Sequence, residues 1–259
     1  MQLTRMKAVI GVAAVSCALA VGACGSGSDE STSADPPQPA AGSGGSSLPQ
    51  GSEQVKLDPA EFTTKIDNPY WPMSPGSKWV YNEVEDGAKL KVEVTVTDRT
   101  KRIANGITAR VVHDVVSENG QPLEVTDDWY AQDSAGNIWY LGEKTAEYKN
   151  GKVSSRAGSF EAGVDGAQPG VALPGDPQVG DSYRQEYYAG QAEDKASVLS
   201  LDATANVPFE KFDGVLRTED INPLDKSVEN KFYAKGVGPI RTTHIKGATG
   251  YEELVSYQH

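Results

Sequence analysis

Short segments of alternating apolar and polar residues, separated by glycine-containing turns, run through most of this chain. Residues 90–97 alternate cleanly, as one half-buried β-strand does. Asn119-Gly120 and Asn150-Gly151 supply the positive φ that tight hairpins need. No amphipathic helix longer than about two turns passes the helical spacing test. The sequence therefore predicts an all-β, mainly antiparallel fold: a single strongly curved sheet or open half-barrel of about ten to twelve strands with few short helices.

The strand pattern is interrupted in two places. Predicted strands cover residues 77–84, 90–97, 107–117, 123–130, 138–141, 145–149, 152–155, 183–188, 196–205, 215–222, 229–234, 240–246 and 251–257. Three prolines in residues 66–76 predict a rigid irregular strap over the domain. Residues 157–181 are glycine-rich and lack a period, so we expect a long loop whose scattered apolar residues pack against the sheet. A short helix over residues 59–64, capped by Asp58, is also expected.

The N-terminus has the pattern of a lipoprotein signal peptide. A basic start is followed by the apolar run 8–20 and then by Val21-Gly22-Ala23-Cys24, a lipobox. The run is shorter than the about 20 apolar residues that span a membrane. We therefore predict a signal peptide over residues 1–23 and a lipid, palmitate included, on Cys24. The alternative is a plain secretory signal in which Cys24 is incidental.

The lipid would hold the mature chain at a membrane surface. Residues 24–55 are rich in Gly, Ser and Pro and have little to bury, which predicts a flexible tether. Residues 56–259 form the single predicted β-rich domain. The expected location is the outer face of the cell membrane, in the cell envelope, with the membrane as a partner through Cys24.

Charge and cysteine content exclude several kinds of function. The net charge of -12 repels phosphate backbones, so no nucleic-acid partner is expected. Cys17 and Cys24 both lie in the signal region, which leaves the mature domain without a thiol. The chain has three histidines, and none is paired at a metal-ligand spacing, so no metal and no cofactor is expected.

The candidate chemistry rests on aromatic and carboxylate residues. The chain lacks the local patterns of a serine triad, a phosphate-binding loop and a dinucleotide-binding turn. The candidate ligand-binding residues are Trp71, Trp129, Arg184, Glu186 and Tyr188. With no catalytic residues assigned, the leading hypothesis is binding of a lipid or other apolar molecule, or of an envelope partner.

Two other functions stay open. One is an envelope hydrolase that uses paired carboxylates such as Asp128, Glu186 and Asp194, next to aromatic sugar platforms. In so acidic a chain, turn residues and solvated strand faces are the simpler interpretation of these acids. The other is a passive structural role, favoured if the adjacent aromatic pairs, such as Trp129-Tyr130 and Trp139-Tyr140, are wholly buried.

One stretch resembles a known group of proteins. Residues 68–81 (NPYWPMSPGSKWVY) resemble the opening of a group of uncharacterised, mostly actinobacterial lipoproteins. Residues 161–170, 183–188 and 233–238 are also similar to that group, and the resemblance implies no activity. The layout W-x-Y, then Val-Pro-x-x-x-Phe-Asp at residues 207–213, then Tyr-Ala-x-Gly-Val-Gly more distantly resembles carrier lipoproteins of the LolA/LppX kind. That resemblance implies an open half-barrel with a lipophilic ligand on its concave face.

Overall fold

A computed structural model describes residues 48–259 and confirms the all-β prediction. The described residues form sixteen strands, and every strand pair is antiparallel. The helix predicted over residues 59–64 is a single 3-10 turn, Pro59–Glu61, and the Asp58 side chain accepts a hydrogen bond from the Ala60 amide as its N-cap. No helix within residues 48–259 is long and apolar enough to cross a membrane.

The strands follow one another as a meander. In the first half they are β1 (Phe62–Thr63), β2 (Lys78–Glu85), β3 (Ala88–Arg102), β4 (Thr108–Glu118), β5 (Gln121–Asp133), β6 (Ile138–Lys149), β7 (Lys152–Ser155) and β8 (Phe160–Glu161). In the second half they are β9 (Gln168–Leu173), β10 (Ser182–Arg184), β11 (Glu186–Tyr187), β12 (Lys195–Asn206), β13 (Lys211–Asn222), β14 (Ser227–Ala234), β15 (Gly238–Lys246) and β16 (Gly250–Gln258).

The sheet nearly closes into a ring. Thirteen strands lie on its main path, in the order β10-β12-β13-β14-β15-β16-β2-β3-β4-β5-β6-β9-β11. The two ends of that path, β10 and β11, are adjacent in sequence with Gln185 between them. Residues 182–187 thus pair with β12 on one side and with β9 on the other. The predicted strongly curved antiparallel sheet is confirmed, but it has more strands than expected and is nearly closed where a half-barrel would be open.

The two ends of the ring differ. We call one the hairpin end, because the tight turns at residues 86–87, 119–120 and 150–151 all lie there. Asn119 and Gly120 both have positive φ, at 50° and 78°, as the sequence predicts. The strap, residues 66–76, covers the opposite end, which we call the strap end.

The strap closes its end of the ring with apolar side chains. Trp71 and Met73 are buried, and the Trp71 ring lies 5.4 Å from Tyr130 and 5.9 Å from Tyr233. Hydrogen bonds hold the strap in place. The Gly236 amide donates to the Pro69 carbonyl, and the Asn68 side chain donates to the Pro174 carbonyl. The strap thus adds its apolar side chains to the hydrophobic core of the domain.

The predicted long loop at 157–181 contains two strands, β8 and β9. β9 joins the main path beside β6, and five of its six residues are buried. A strand that is covered on both faces has no alternation to detect, which is why the sequence pattern missed it. The expectation that this segment packs against the sheet is confirmed by buried Phe160, Val171 and Leu173.

The last residues of the predicted tether pack on the domain. Pro49 is buried, and its carbonyl accepts a hydrogen bond of 2.6 Å from the Arg184 amide. The Arg184 guanidinium donates to the carbonyls of Gly51 and Glu53. The packed part of the domain therefore includes residues from Leu48 onward, and not only those from Lys56. The rest of the predicted tether, Cys24 and the signal peptide lie outside the described residues.

Candidate functional site

The interior face of the ring carries carboxyl groups at the middle of the strands and towards the hairpin end. Directly opposed residues of antiparallel strands point to the same face. Asp128 on β5 is opposed to Glu143 on β6, and Asp220 on β13 to Glu229 on β14. Glu252 on β16 is opposed to Glu83 on β2. These pairs come from strands around much of the ring.

Burial removes these acids from solvent. Nine carboxyl residues of the described chain are buried: Glu83, Asp114, Asp128, Glu143, Glu186, Asp194, Asp220, Glu229 and Glu252. Within residues 48–259, Lys231 is the one buried lysine. The simple interpretation of Asp128, Glu186 and Asp194 as turn residues and solvated strand faces is therefore wrong. Carboxylates in a low-dielectric interior are costly unless protonated or balanced by positive charge.

One tyrosine hydroxyl joins two of these acids. Tyr140 Oη lies 2.7 Å from Asp128 Oδ1 and 2.7 Å from Glu143 Oε2. One hydroxyl proton cannot serve both contacts, so one of the two carboxyls must carry a proton and donate to the phenol oxygen. Burial raises the pKa of Glu143 to about 7, and burial together with nearby Glu143 raises the pKa of Asp128 well above its usual range. The pair therefore shares a proton near neutral pH.

Two polar atoms beside this pair have no hydrogen-bond partner among the described residues. They are Tyr130 Oη and Asp128 Oδ2. Tyr130 is only 1% exposed, and its ring stacks on Tyr140 with centroids 5.0 Å apart. Burial raises the pKa of Tyr130 well above its usual range, and the nearby carboxyls of Asp128, Glu143 and Asp114 raise it further, so this hydroxyl lies among buried acids. Buried polar groups usually have partners, so unsatisfied ones next to one another require an explanation.

Two more buried acids, Glu186 on β11 and Asp194 just before β12, complete the cluster. Gln185 N donates to Asp194 O at 2.7 Å, which fixes residue 194 beside β11. Burial and nearby Asp194 and Glu143 raise the pKa of Glu186 well above its usual range. We call these four residues the acid cluster: Asp128 on β5, Glu143 on β6, Glu186 on β11, and Asp194 just before β12.

A buried cation lies across the ring from β5 and β6. Lys231 Nζ is 3.0 Å from Asp220 Oδ2 and 3.9 Å from Glu229 Oε2. Burial opposes the charge on Lys231, but nearby Asp220 and Glu229 outweigh it and hold the lysine pKa above its usual range. His244 Nδ1 contacts Glu229 Oε1 at 3.0 Å, and this hydrogen bond raises the pKa of the histidine.

A chain of aromatic rings lies between the acid cluster and the backbone of the strap. Tyr140 contacts Tyr130, Tyr130 contacts Trp71 of the strap, and Trp71 contacts Tyr233, with ring centroids 5.0 to 5.9 Å apart. We call these four residues the aromatic floor. The interior therefore changes from carboxylate walls to an aromatic base along its axis.

The five predicted ligand-binding residues do not form one site. Glu186 belongs to the acid cluster and Trp71 to the aromatic floor, where it is 3% exposed. Trp129 lies on the outer face, because it alternates with Asp128 along β5. The Arg184 guanidinium donates to the carbonyl of Glu53, in the segment before β1. Half-buried Tyr188 forms a bridge with Ala192 and packs against the core.

A second concave region lies on the outside of the ring, beside residues 157–181. This groove has a volume of about 550 Å³ and a base of Val111, Trp129 and Phe160. Its rim carries charged pairs: Arg99 with Asp127 at 2.8 Å and Lys101 with Glu161 at 2.9 Å. Lys101 Nζ also sits 4.4 Å from the centre of the Trp129 ring.

The arrangement does not suit a metal ion. Across residues 48–259, no group of three or more His, Cys, Asp or Glu side chains is placed to ligate one. His113 and His244 each contact a single carboxylate, that of Asp127 and that of Glu229 respectively.

The sequence analysis missed Tyr130, Tyr140 and Glu143. The signal was present in the two doublets Trp129-Tyr130 and Trp139-Tyr140, which flank the Asp133 turn almost symmetrically. The Asp133 carboxylate accepts from the Ala135 and Asn137 amides and fixes that turn. Pairing the hairpin outward from it opposes Tyr130 to Tyr140.

Comparison with known proteins assigns the chain to no family. No family model and no curated protein matches it. A crystal structure of a Bacteroides fragilis protein, described as exported and as having a YmcC-like fold, is similar with a TM-score of 0.44 and 14% identity, covering 73% of this chain and 99% of that chain. A crystal structure of a Parabacteroides distasonis protein, described as a lipoprotein, has a TM-score of 0.39 and 12% identity, covering 73% of this chain and 98% of that one.

Proposed function

We propose that this protein is an exported, lipid-anchored binding protein and that the interior of its ring holds a small polar ligand. The observation that carries the proposal is the pair of buried atoms, Tyr130 Oη and Asp128 Oδ2, which have no hydrogen-bond partner among residues 48–259. A ligand that bonds to both would offset the cost of burying them. The lipobox at Cys24 supplies the expected anchor.

The polar interior changes the expected ligand. A lipid tail gains nothing beside the carboxyls of Asp128, Glu143 and Glu186, which a polar ligand can satisfy. The lipid or apolar ligand predicted from the sequence stays a prediction, and the outer groove at Val111, Trp129 and Phe160 is where it would bind. Trp71, in contrast, would not touch such a ligand.

A thermal-shift screen with small polar metabolites tests the interior site. Asp127→Asn is the matched control for Asp128→Asn, because the two residues are adjacent on β5 but face opposite sides. A metabolite that stabilises the wild-type chain and Asp127→Asn, but not Asp128→Asn, supports the proposal. The absence of any stabilising metabolite, or equal stabilisation of all three proteins, contradicts it.

One observation favours a second function, carboxylate-based hydrolysis. Asp128 and Glu143 each lie 2.7 Å from the same phenol oxygen, so their bonded oxygens are no farther apart than twice that distance. Retaining glycosidases hold their two carboxyls about 5–5.5 Å apart. Hydrolysis of nitrophenyl glycosides by the wild-type chain but not by Asp128→Asn would support this function, and inactivity of the wild-type chain towards them would count against it.

A further inference from the structure

We infer that the ligand of the interior is a small organic cation whose ammonium group lies between Asp128 Oδ2, Tyr130 Oη and the carboxyl of Glu186, above the aromatic floor. This inference rests on the proposed function and names the class of its ligand.

The charge of the cluster selects a cation. Asp128, Glu143 and Glu186 are mutually close enough that each disfavours the ionised form of another. A positive group placed among them would stabilise their ionised forms, whereas an anion would further disfavour ionisation and a neutral ligand would leave it unchanged. Lys231, the buried lysine of the described chain, has its own partner in Asp220, 3.0 Å away.

The hydrogen-bonding pattern suits an ammonium donor. Asp128 Oδ1 already contacts Tyr140, while Asp128 Oδ2 has no partner among the described residues. Tyr130, two residues along on the same face of β5, has an unsatisfied hydroxyl as well, and its oxygen can accept a hydrogen bond through its lone pairs. An N–H group donating to both oxygens would satisfy two buried atoms at once.

The aromatic floor adds attraction for an organic cation. Tyrosine rings attract cations that lie within about 6 Å of the ring centre, and quaternary ammonium ligands are often held by several rings together. Tyr130 and Tyr140 stack 5.0 Å apart directly beside Asp128 and Glu143. A metal ion has less support, since within residues 48–259 no three carboxylate or imidazole groups are arranged as its ligands.

Calorimetric titration with matched probes tests the inference on the full mature chain. The cationic probes are putrescine, whose ammonium groups can donate N–H hydrogen bonds to Asp128 and Tyr130, and choline, which has no N–H and tests only the positive charge and the aromatic surface. Their uncharged counterparts are dimethylbutanol, the carbon isostere of choline, and butanediol. Succinate serves as an anion and calcium chloride as an inorganic cation. We expect at least one cationic probe to bind at least about tenfold more tightly than its uncharged counterpart, the equivalent of about 1.4 kcal/mol.

Three variants localise the binding. Asp128→Asn and Tyr130→Phe should each weaken the cationic probe by about tenfold or more, since each removes one of its partners. Asp127→Asn on the outer face should leave binding unchanged. A circular-dichroism melt of each variant establishes that it is folded before titration.

The outcomes separate the inference from the proposed function. If dimethylbutanol, butanediol, succinate or calcium binds in an Asp128-dependent way and neither cationic probe does, the interior site exists but its ligand is not an organic cation. If a cationic probe binds equally to the wild-type chain and to Asp128→Asn, it binds elsewhere and the inference fails. If no probe binds while a metabolite in the thermal-shift screen depends on Asp128, only the inference fails; if the screen is also negative, both fail.

Discussion

Two adjacent aspartates show how strongly strand register decides the role of a residue. Asp127 faces outward, where Arg99 donates to both its carboxylate oxygens at 2.8 and 3.0 Å and His113 contacts it at 2.8 Å. Although burial raises the pKa of Asp127, these hydrogen bonds outweigh it and lower the pKa overall. Asp128 faces inward and has a raised pKa. The same side chain is therefore an ordinary ion-pair partner at one position and a cluster acid at the next.

The raised pKa of Glu143 predicts that stability decreases as pH increases. Burial raises that pKa from 4.5 to about 7, so the folded state binds a proton that the unfolded state has released. The contribution is fully present below pH about 4.5 and is lost as pH rises through about 7, an upper limit of about 3 kcal/mol. Glu143→Gln should flatten this dependence, and urea unfolding across that pH range measures it.

The groups that face Glu143 must be considered in that experiment. They are Tyr140, Thr145, Glu124, Asp194, Glu186 and Asp128. Asp128 and Glu186 also have raised pKa values and act in the same direction, so Glu143→Gln flattens the curve only in part. Glu210→Gln, at an exposed position, is the control and should follow the wild-type curve. Stability that increases with pH across this range would contradict the expectation.

At the scale of elements, the closing segment 182–187 depends on a close backbone approach. A Cβ at Gly170 on β9 would lie 2.2 Å from the backbone carbonyl of Gln185. We expect Gly170→Ala to lower the free energy of unfolding by about 1–3 kcal/mol, because the clash is with backbone that cannot move aside cheaply. Thermal unfolding measures the loss.

The matched control for that variant is Gly166→Ala. Gly166 has φ of 84°, but a Cβ there would meet nothing within 4 Å. It should show only the cost of a left-handed alanine, about 1 kcal/mol. Faster amide exchange in β9 and β11 of Gly170→Ala alone would show that the pairing of these two strands has opened. Equal losses of unfolding free energy in both variants would contradict the steric account.

Arg184 gives a second prediction at this scale. Its guanidinium donates to Gly51 O, to Glu53 O at 2.9 Å and to Pro169 O at 2.9 Å, a fork that lysine cannot reproduce. Arg184→Lys should cost about 1–3 kcal/mol and speed proteolysis of residues 48–55. Arg156→Lys, at an exposed position, is the control. Unchanged proteolysis in Arg184→Lys would show that residues 48–55 are held on the domain by other contacts.

The elements that the sequence predicts are those with local signals. Alternation and the Asn119-Gly120 turn locate strands and hairpins because both depend on neighbouring residues. The ring closure depends on β9, which is covered on both faces, and on two strands of three and two residues, β10 and β11. The site was hard to predict for a related reason. Trp129 on the outer face of β5 and Tyr130 on the inner face are both large aromatic residues, so the sequence does not show which face lines the interior.

For the whole molecule, the predicted attachment to a membrane depends on one atom, the sulfur of Cys24. We predict that Cys24→Ala is either released from cells or retained with its signal peptide, because no thiol is left for lipid attachment. Palmitate labelling and fractionation of the cells that make the protein measure both effects. Cys17→Ala is the control and should still be labelled. A labelled Cys24→Ala protein would contradict the assignment of the lipobox.

The pairing of β2 with β16 governs when the molecule can fold. Tyr81 near the start of the domain is opposed to Leu254 near the end of the chain, so the ring has no completed circumference until the last strand arrives. A chain still emerging from a ribosome or a translocation channel would expose the edge of β2 and the whole interior wall. Vectorial synthesis therefore leaves the ring incomplete until β16 has been made, and deletion of β16, Gly250–Gln258, should prevent assembly of the ring.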